Sequence, residues 1–140
     1  MMDRVLRARE FFKEGYNCAQ AVSMAFCDLF EEEEQTVACA VSAFGGGFSR
    51  MREVCGAVSG ITYVVGRMEG YSDPHNLSEK KRVYGITQEL LTAFARENGS
   101  IVCRELLKPV GIVDGDRKGR PCEDLVASAA VLLSARYCKD

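Results

Sequence analysis

Apolar residues recur along this chain at intervals of three and four, the spacing that gathers them on one side of an α-helix. Val5, Leu6, Phe11 and Phe12 mark a first short amphipathic helix. Gly15 can end it, because glycine tolerates the left-handed turn at a helix C-terminus. Asn17 stands as the next N-cap, with Gln20 three residues on as its capping-box partner. The helix it opens carries Ala21, Val22, Ala25, Phe26 and Leu29. The acidic run from Glu31 to Glu34 suits the exposed start of a third helix, where the dipole favours negative charge. Val37, Ala40, Val41 and Phe44 form the apolar side of that helix.

Gly45, Gly46 and Gly47 stop the third helix, and Ser49 is placed to cap a fourth, from about Arg52 to Arg67. Val54, Val58, Ile61, Val64 and Val65 leave it apolar nearly all round, the mark of a buried central element. Gly56 and Gly60 share one face of it. Glycine costs stability inside a helix, so this pair predicts a neighbour whose backbone packs close. After a loop at Gly70 to Pro74, a long helix runs from about Leu77 to Glu97, with Val83, Ile86, Leu90, Leu91 and Phe94 inward. Gly99 and Ser100 end it and cap a short helix through Cys103 to Leu107. Lys108 to Arg120, with its glycines, proline and charges, reads as irregular, and Pro121 suits the first position of a final helix. That helix bears Leu125, Val126, Ala129, Leu132 and Leu133. No stretch alternates with period two long enough for a sheet. The pattern predicts an all-α, single-domain helical bundle of about six or seven helices over residues 1–140.

Composition narrows the function. A chain of 140 residues with 47% hydrophobic content can build a core without disulfides. With 18 basic and 20 acidic residues and no basic run, it lacks the footprint of a nucleic-acid binder. The uncharged stretch from Val54 to Gly66 falls short of the roughly 20 residues a spanning helix needs. Met1 to Lys13 is amphipathic and charged, unlike a signal peptide. The expectation is a cytoplasmic protein with no membrane span. Seven cysteines are then the outstanding feature. Their number is odd, so they cannot all pair within the chain, and in a reducing compartment such an excess points to metal binding or redox chemistry.

Four of the seven share a local property. Cys18 follows the Asn17 cap, Cys103 comes three residues after Ser100, Cys122 follows Pro121, and Cys55 lies in the first turns after the triple glycine. Each is at or near a predicted helix N-terminus, where unpaired N–H groups and the dipole stabilise a thiolate. Lowered thiol pKa values are expected among these four. Cys27 and Cys39 fall inside predicted helices and are expected to be packed and inert, and Cys138 to be accessible and ordinary. No Cys-x-x-Cys occurs and there is one histidine, so a ready-made zinc or thioredoxin module is absent. Any site must be assembled from distant segments, either as a metal centre with Cys18, Cys55, Cys103 and Cys122 as ligands or as a redox dithiol system.

A second candidate is the glycine-rich turn, whose N–H groups can face an anion. Gly45, Gly46, Gly47 and Arg50 form this cofactor-binding set, and Arg52 adds charge. The turn lacks the Gly-Lys-Ser/Thr of a P-loop and the preceding strand of a dinucleotide fold, and a plain helix connection explains it as well. His75, beside Pro74, reads as a surface loop residue, because no nucleophile–base pair is formed near it in sequence.

The segments Gly15–Val22 (GYNCAQAV), Phe44–Phe48 (FGGGF), Val54–Gly60 (VCGAVSG) and Cys103–Leu107 (CRELL), followed by Cys122, resemble the C-GCAxxG-C-C family, a group classed as redox-active. The likeness covers roughly Phe11 to Ala135. Here the order is Cys55, Gly56, Ala57, where the family label reads Gly-Cys-Ala. The resemblance implies that Cys18, Cys55, Cys103 and Cys122 are the family's four cysteines. It implies bacterial or archaeal proteins, often encoded beside transporters or oxidoreductases, and for some members a bound group such as an iron–sulfur cluster. Two readings follow. In one, four thiols work as a dithiol/disulfide system or hold iron–sulfur or zinc, serving a redox partner. In the other, a non-enzymatic module binds a small anion or cofactor and the cysteines are structural. Small helical domains also pair often as homodimers, though no face of this chain argues for a particular pairing.

Overall fold

The computed structural model describes residues 3–108 and 121–138. Among them lie eight α-helical segments: α1 (Arg4–Glu14), α2 (Cys18–Met24), α3 (Glu34–Ala40), the single turn α4 (Gly45–Phe48), α5 (Gly56–Glu69), α6 (Leu77–Asn98), α7 (Cys103–Leu107) and α8 (Cys122–Tyr137). Two short 3-10 turns, Cys27–Phe30 and Ser42–Phe44, complete the helical content. The all-α expectation holds. The only β pairing among the described residues is one isolated antiparallel bridge, Val54 with Val102. Beyond Lys108, the segment read as irregular up to Arg120 lies outside the described residues.

The caps at Gly15 and Asn17 form as expected, whereas α7 opens from Val102 without a side-chain cap and Ser100 accepts from the Val102 amide. Gly15 takes φ 115° and ends α1, while the Asn17 side chain accepts from the Gln20 amide and Gln20 in turn accepts from the Asn17 amide, at 2.9 and 3.0 Å. Three boundaries move. The second helix stops at Met24 and a 3-10 turn follows from Cys27, and the third stops at Ala40, short of Phe44. The fourth begins at Gly56 instead of Arg52, because the residues before it are committed to other backbone hydrogen bonds.

The helix directions matter for function. Gly56 lies against Cys18 and Ala19, and Gly60 lies against Val22 and Ala19. The contact advances by four residues on both helices, so α2 and α5 run parallel with their backbones close. This is the neighbour that the two glycines predicted. At the far ends of α5 and α8, Arg136 and Tyr137 of α8 bond Glu69 of α5, so these also run parallel. Helix α1 runs antiparallel to α8, with Arg9 near Glu123 and Asp124. The N-termini of α2, α5 and α8 therefore face one end of the bundle. Between the helices, Ala21, Val22, Phe26, Val58, Ile61, Val65, Phe94, Val126 and Leu133 form the main core. Among the described residues no helix is long and apolar enough to cross a membrane.

Candidate functional site

At the end where these helices begin, Cys18, Cys55, Cys103 and Cys122 line one cavity of about 420 Å³. Gly45, Gly46, Gly47 and Arg50 line it too, so every residue singled out for chemistry in the sequence is at this one place. Phe12, Leu106, Leu107 and Leu125 supply an apolar wall, and Asn17, Ser42 and Ser49 a polar one.

Each cysteine has a different anchor. Cys18 opens α2 directly after the Asn17 capping box and is pressed against Gly56. Cys55 precedes α5, and its amide donates to the Ile101 carbonyl at 2.8 Å. Cys103 opens α7, and its amide donates to the Glu53 carbonyl at 2.6 Å. These two bonds flank the Val54–Val102 bridge. Cys122 opens the 16-residue α8. Cys55 and Cys103 are buried, whereas Cys18 and Cys122 are half-buried.

The glycine turn is a different object from a helix cap. Five consecutive residues, Gly46, Gly47, Phe48, Ser49 and Arg50, have positive φ, and Arg52 does as well. Left-handed backbone costs non-glycine residues about 1–2 kcal/mol each. Contacts from three directions hold the turn in place. A Cβ on Gly47 would stand 2.7 Å from the Cys103 Cβ, and one on Gly45 would stand 2.4 Å from the Asn17 side chain. Ser49, expected to cap the fourth helix, instead donates its hydroxyl to the Ala43 carbonyl at 2.7 Å. The turn thus carries Arg50 and Arg52 around the two buried thiols. Arg52 is buried, with Nη1 3.9 Å from the Cys103 sulfur. No local feature of the sequence reports that burial.

The expected lowering of thiol pKa does not occur at Cys18 or Cys55. A hydrogen bond with Cys122 is the main influence raising the Cys18 thiol well above its ordinary value, and burial and the neighbouring cysteines add to it. Burial pushes Cys55 up to about 12, against the opposing pull of the Val58 and Ala57 amides. Desolvation and sulfur crowding outweigh the helix N-termini here. Away from the cavity, Cys27 is buried and its thiol is raised by that burial, but Cys39 is exposed, contrary to expectation, because the third helix turns its last residues to the surface. Cys138 meets the Arg4 guanidinium at the opposite end of the bundle. His75 is exposed, as its sequence setting indicated.

The four sulfurs were expected to suit zinc or an iron–sulfur cluster. Among the described residues no group of three or more His, Cys, Asp or Glu side chains is disposed to hold a metal ion.

An all-helical protein with four thiols around one cavity is the class that fold and site define. Residues 16–135 match the family model described as "Putative redox-active protein (C_GCAxxG_C_C)", and the chain belongs to that family. No curated protein and no solved structure matches it.

Proposed function

We propose that the protein is a dithiol–disulfide redox protein whose working pair is Cys122 and Cys18. The observation that supports this most is the hydrogen bond between these two thiols at the half-buried side of a cavity that also holds Cys55 and Cys103. A hydrogen-bonded dithiol shares its protons and titrates as a unit, and one of its two sulfurs, here taken as Cys122, makes the first attack. With a small disulfide R–S–S–R as oxidant, the Cys122 thiolate attacks one sulfur. The S–S bond breaks and RS⁻ leaves, to be protonated. Cys18 then loses its proton and attacks the Cys122 sulfur of the mixed disulfide, expelling the second RS⁻. The products are two RSH and a Cys18–Cys122 disulfide, a transfer of two electrons and two protons.

Cys55 and Cys103 remain reduced in this scheme. Both are buried, which shields them from a disulfide in solution. The test is equilibration in redox buffers of graded potential, acid quench and disulfide mapping by mass spectrometry. A Cys18–Cys122 link forming first is the expected result; a first link through any other cysteine sinks the assignment.

A further inference from the structure

Among the described residues the cavity is lined by two arginines and by no aspartate or glutamate, although the chain as a whole carries a net charge of −2. Gly46 sits between them. A Cβ there would stand 3.1 Å from the Arg50 Cγ and 3.9 Å from the Arg52 Nη1, so the bare glycine is what lets the Arg50 stem fold back along the turn. Arg50 is exposed, and Glu53, the acid nearest to it in sequence, is engaged by Arg104 at 2.7 Å. The backbone of the turn is held in place by Cys103, Asn17 and Gly56, so Arg50 is presented from a fixed platform. Phe12, Leu106, Leu107 and Leu125 add apolar lining. A cavity of about 420 Å³ is in the size range of small-molecule sites.

We infer that this cavity selects small organic disulfides that carry a carboxylate, with Arg50 as the residue that sets the preference. The apolar lining takes the organic body and the guanidinium takes the acid group, which leaves the S–S bond for Cys18 and Cys122. This rests on the dithiol reading above, and it adds a substrate class to it. Arg50 acts on binding, while the sulfur chemistry is unchanged.

The experiment compares two disulfide probes, the dianionic 5,5′-dithiobis(2-nitrobenzoate) and the neutral 2,2′-dithiodipyridine, each followed by absorbance under stopped flow. The readout is the ratio of their second-order rates, which cancels any general loss of folded protein. Arg50→Gln should lower the ratio by roughly 5- to 10-fold, the range for one charge-assisted contact at a partly exposed site. Arg50→Lys should keep most of the ratio, and Arg96→Gln, an exposed charge on α6, should leave it unchanged. The wild-type ratio should also fall with added salt. An unchanged ratio in Arg50→Gln overturns the inference, even where the Cys18–Cys122 link forms. Should neither probe produce that link, the dithiol reading fails. The ratio of iodoacetate to iodoacetamide alkylation at Cys122, measured in the same variants, then still decides whether Arg50 selects anions.

Discussion

Gly60 packs directly on Val22: a Cβ at residue 60 would stand 2.8 Å from the Val22 Cβ, closer than real Cβ atoms approach. This contact seats α2 on α5 and thereby sets Cys18 beside the start of α5. Gly60→Ala should therefore destabilise the protein by about 1–3 kcal/mol through overpacking. Gly66 and Gly85 are helical glycines with nothing within 4 Å of an added Cβ. Gly66→Ala and Gly85→Ala should each stabilise by about 0.5–1 kcal/mol, the ordinary helix preference for alanine. Thermal or urea unfolding of the three variants checks the opposite signs.

The far end of the bundle makes an acid-range prediction. Glu69 accepts from Arg136 Nε at 3.0 Å, from Arg82 Nη1 at 2.9 Å and from the Tyr137 hydroxyl at 2.6 Å. Its partial burial opposes ionisation, but the hydrogen bonds from Arg136, Tyr137 and Arg82 together hold its pKa down to about 2. A carboxyl held below its unfolded value contributes stability that is present above about pH 4.3 and is lost as pH falls toward 2. Glu69→Gln should cost roughly 1–2 kcal/mol at neutral pH after allowance for solvent screening, and should flatten the stability profile between those pH values. An acid limb unchanged in the variant would show that other carboxyls govern it.

Cys55 and Tyr137 contribute to the alkaline limb. Burial raises both, to about 12 in each case, with the hydrogen bond to Glu69 adding to the effect on Tyr137. For an acid whose folded pKa is raised, stability is fully present below the unfolded pKa and is lost as pH climbs through the folded value. For Cys55 that window runs from about 8.5 to 12. Alkylation of native protein should accordingly leave Cys55 untouched at pH 8, while exposed Cys39 reacts. Site-resolved mass spectrometry across a pH series measures both, and fast labelling of Cys55 at neutral pH would contradict its burial.

Much of this site was legible in the residues themselves. The Asn17–Gln20 capping box is local, so it reads from four positions, and it places Cys18 at a helix start. The Gly56–Gly60 face is likewise a spacing argument about one helix. The turn at Gly46 to Arg50 was not legible, because nothing local makes Phe48, Ser49 and Arg50 left-handed. Their backbone is imposed by Asn17 and Cys103, one distant upstream and one downstream. The Val54–Val102 bridge needs a partner 48 positions away and offers no alternation to announce it. The thiol shifts failed for a related reason. A helix N-terminus is visible in sequence, whereas burial and four sulfurs in one cavity are properties of the folded chain.

The strain in the turn separates stability from selectivity at a single residue. Arg50 holds φ 67° with a side chain that lines the cavity. Glycine at this position removes the left-handed penalty of about 1–2 kcal/mol, offset in part by the greater entropy it adds to the unfolded chain. Arg50→Gly should thus raise stability by about 0.5–1 kcal/mol. Because it also removes the guanidinium, it should lower the anionic-to-neutral disulfide rate ratio as Arg50→Gln does. Gly47→Ala makes the opposite case. Its Cβ would meet Cys103 at 2.7 Å in a backbone of φ 70°, so both terms oppose it and a loss of several kcal/mol is expected. Denaturant unfolding beside the probe ratio checks both variants. If Arg50→Gly is less stable than the parent, the side chain contributes more to the fold than its backbone strain costs, and Arg50 is then a structural residue of the turn.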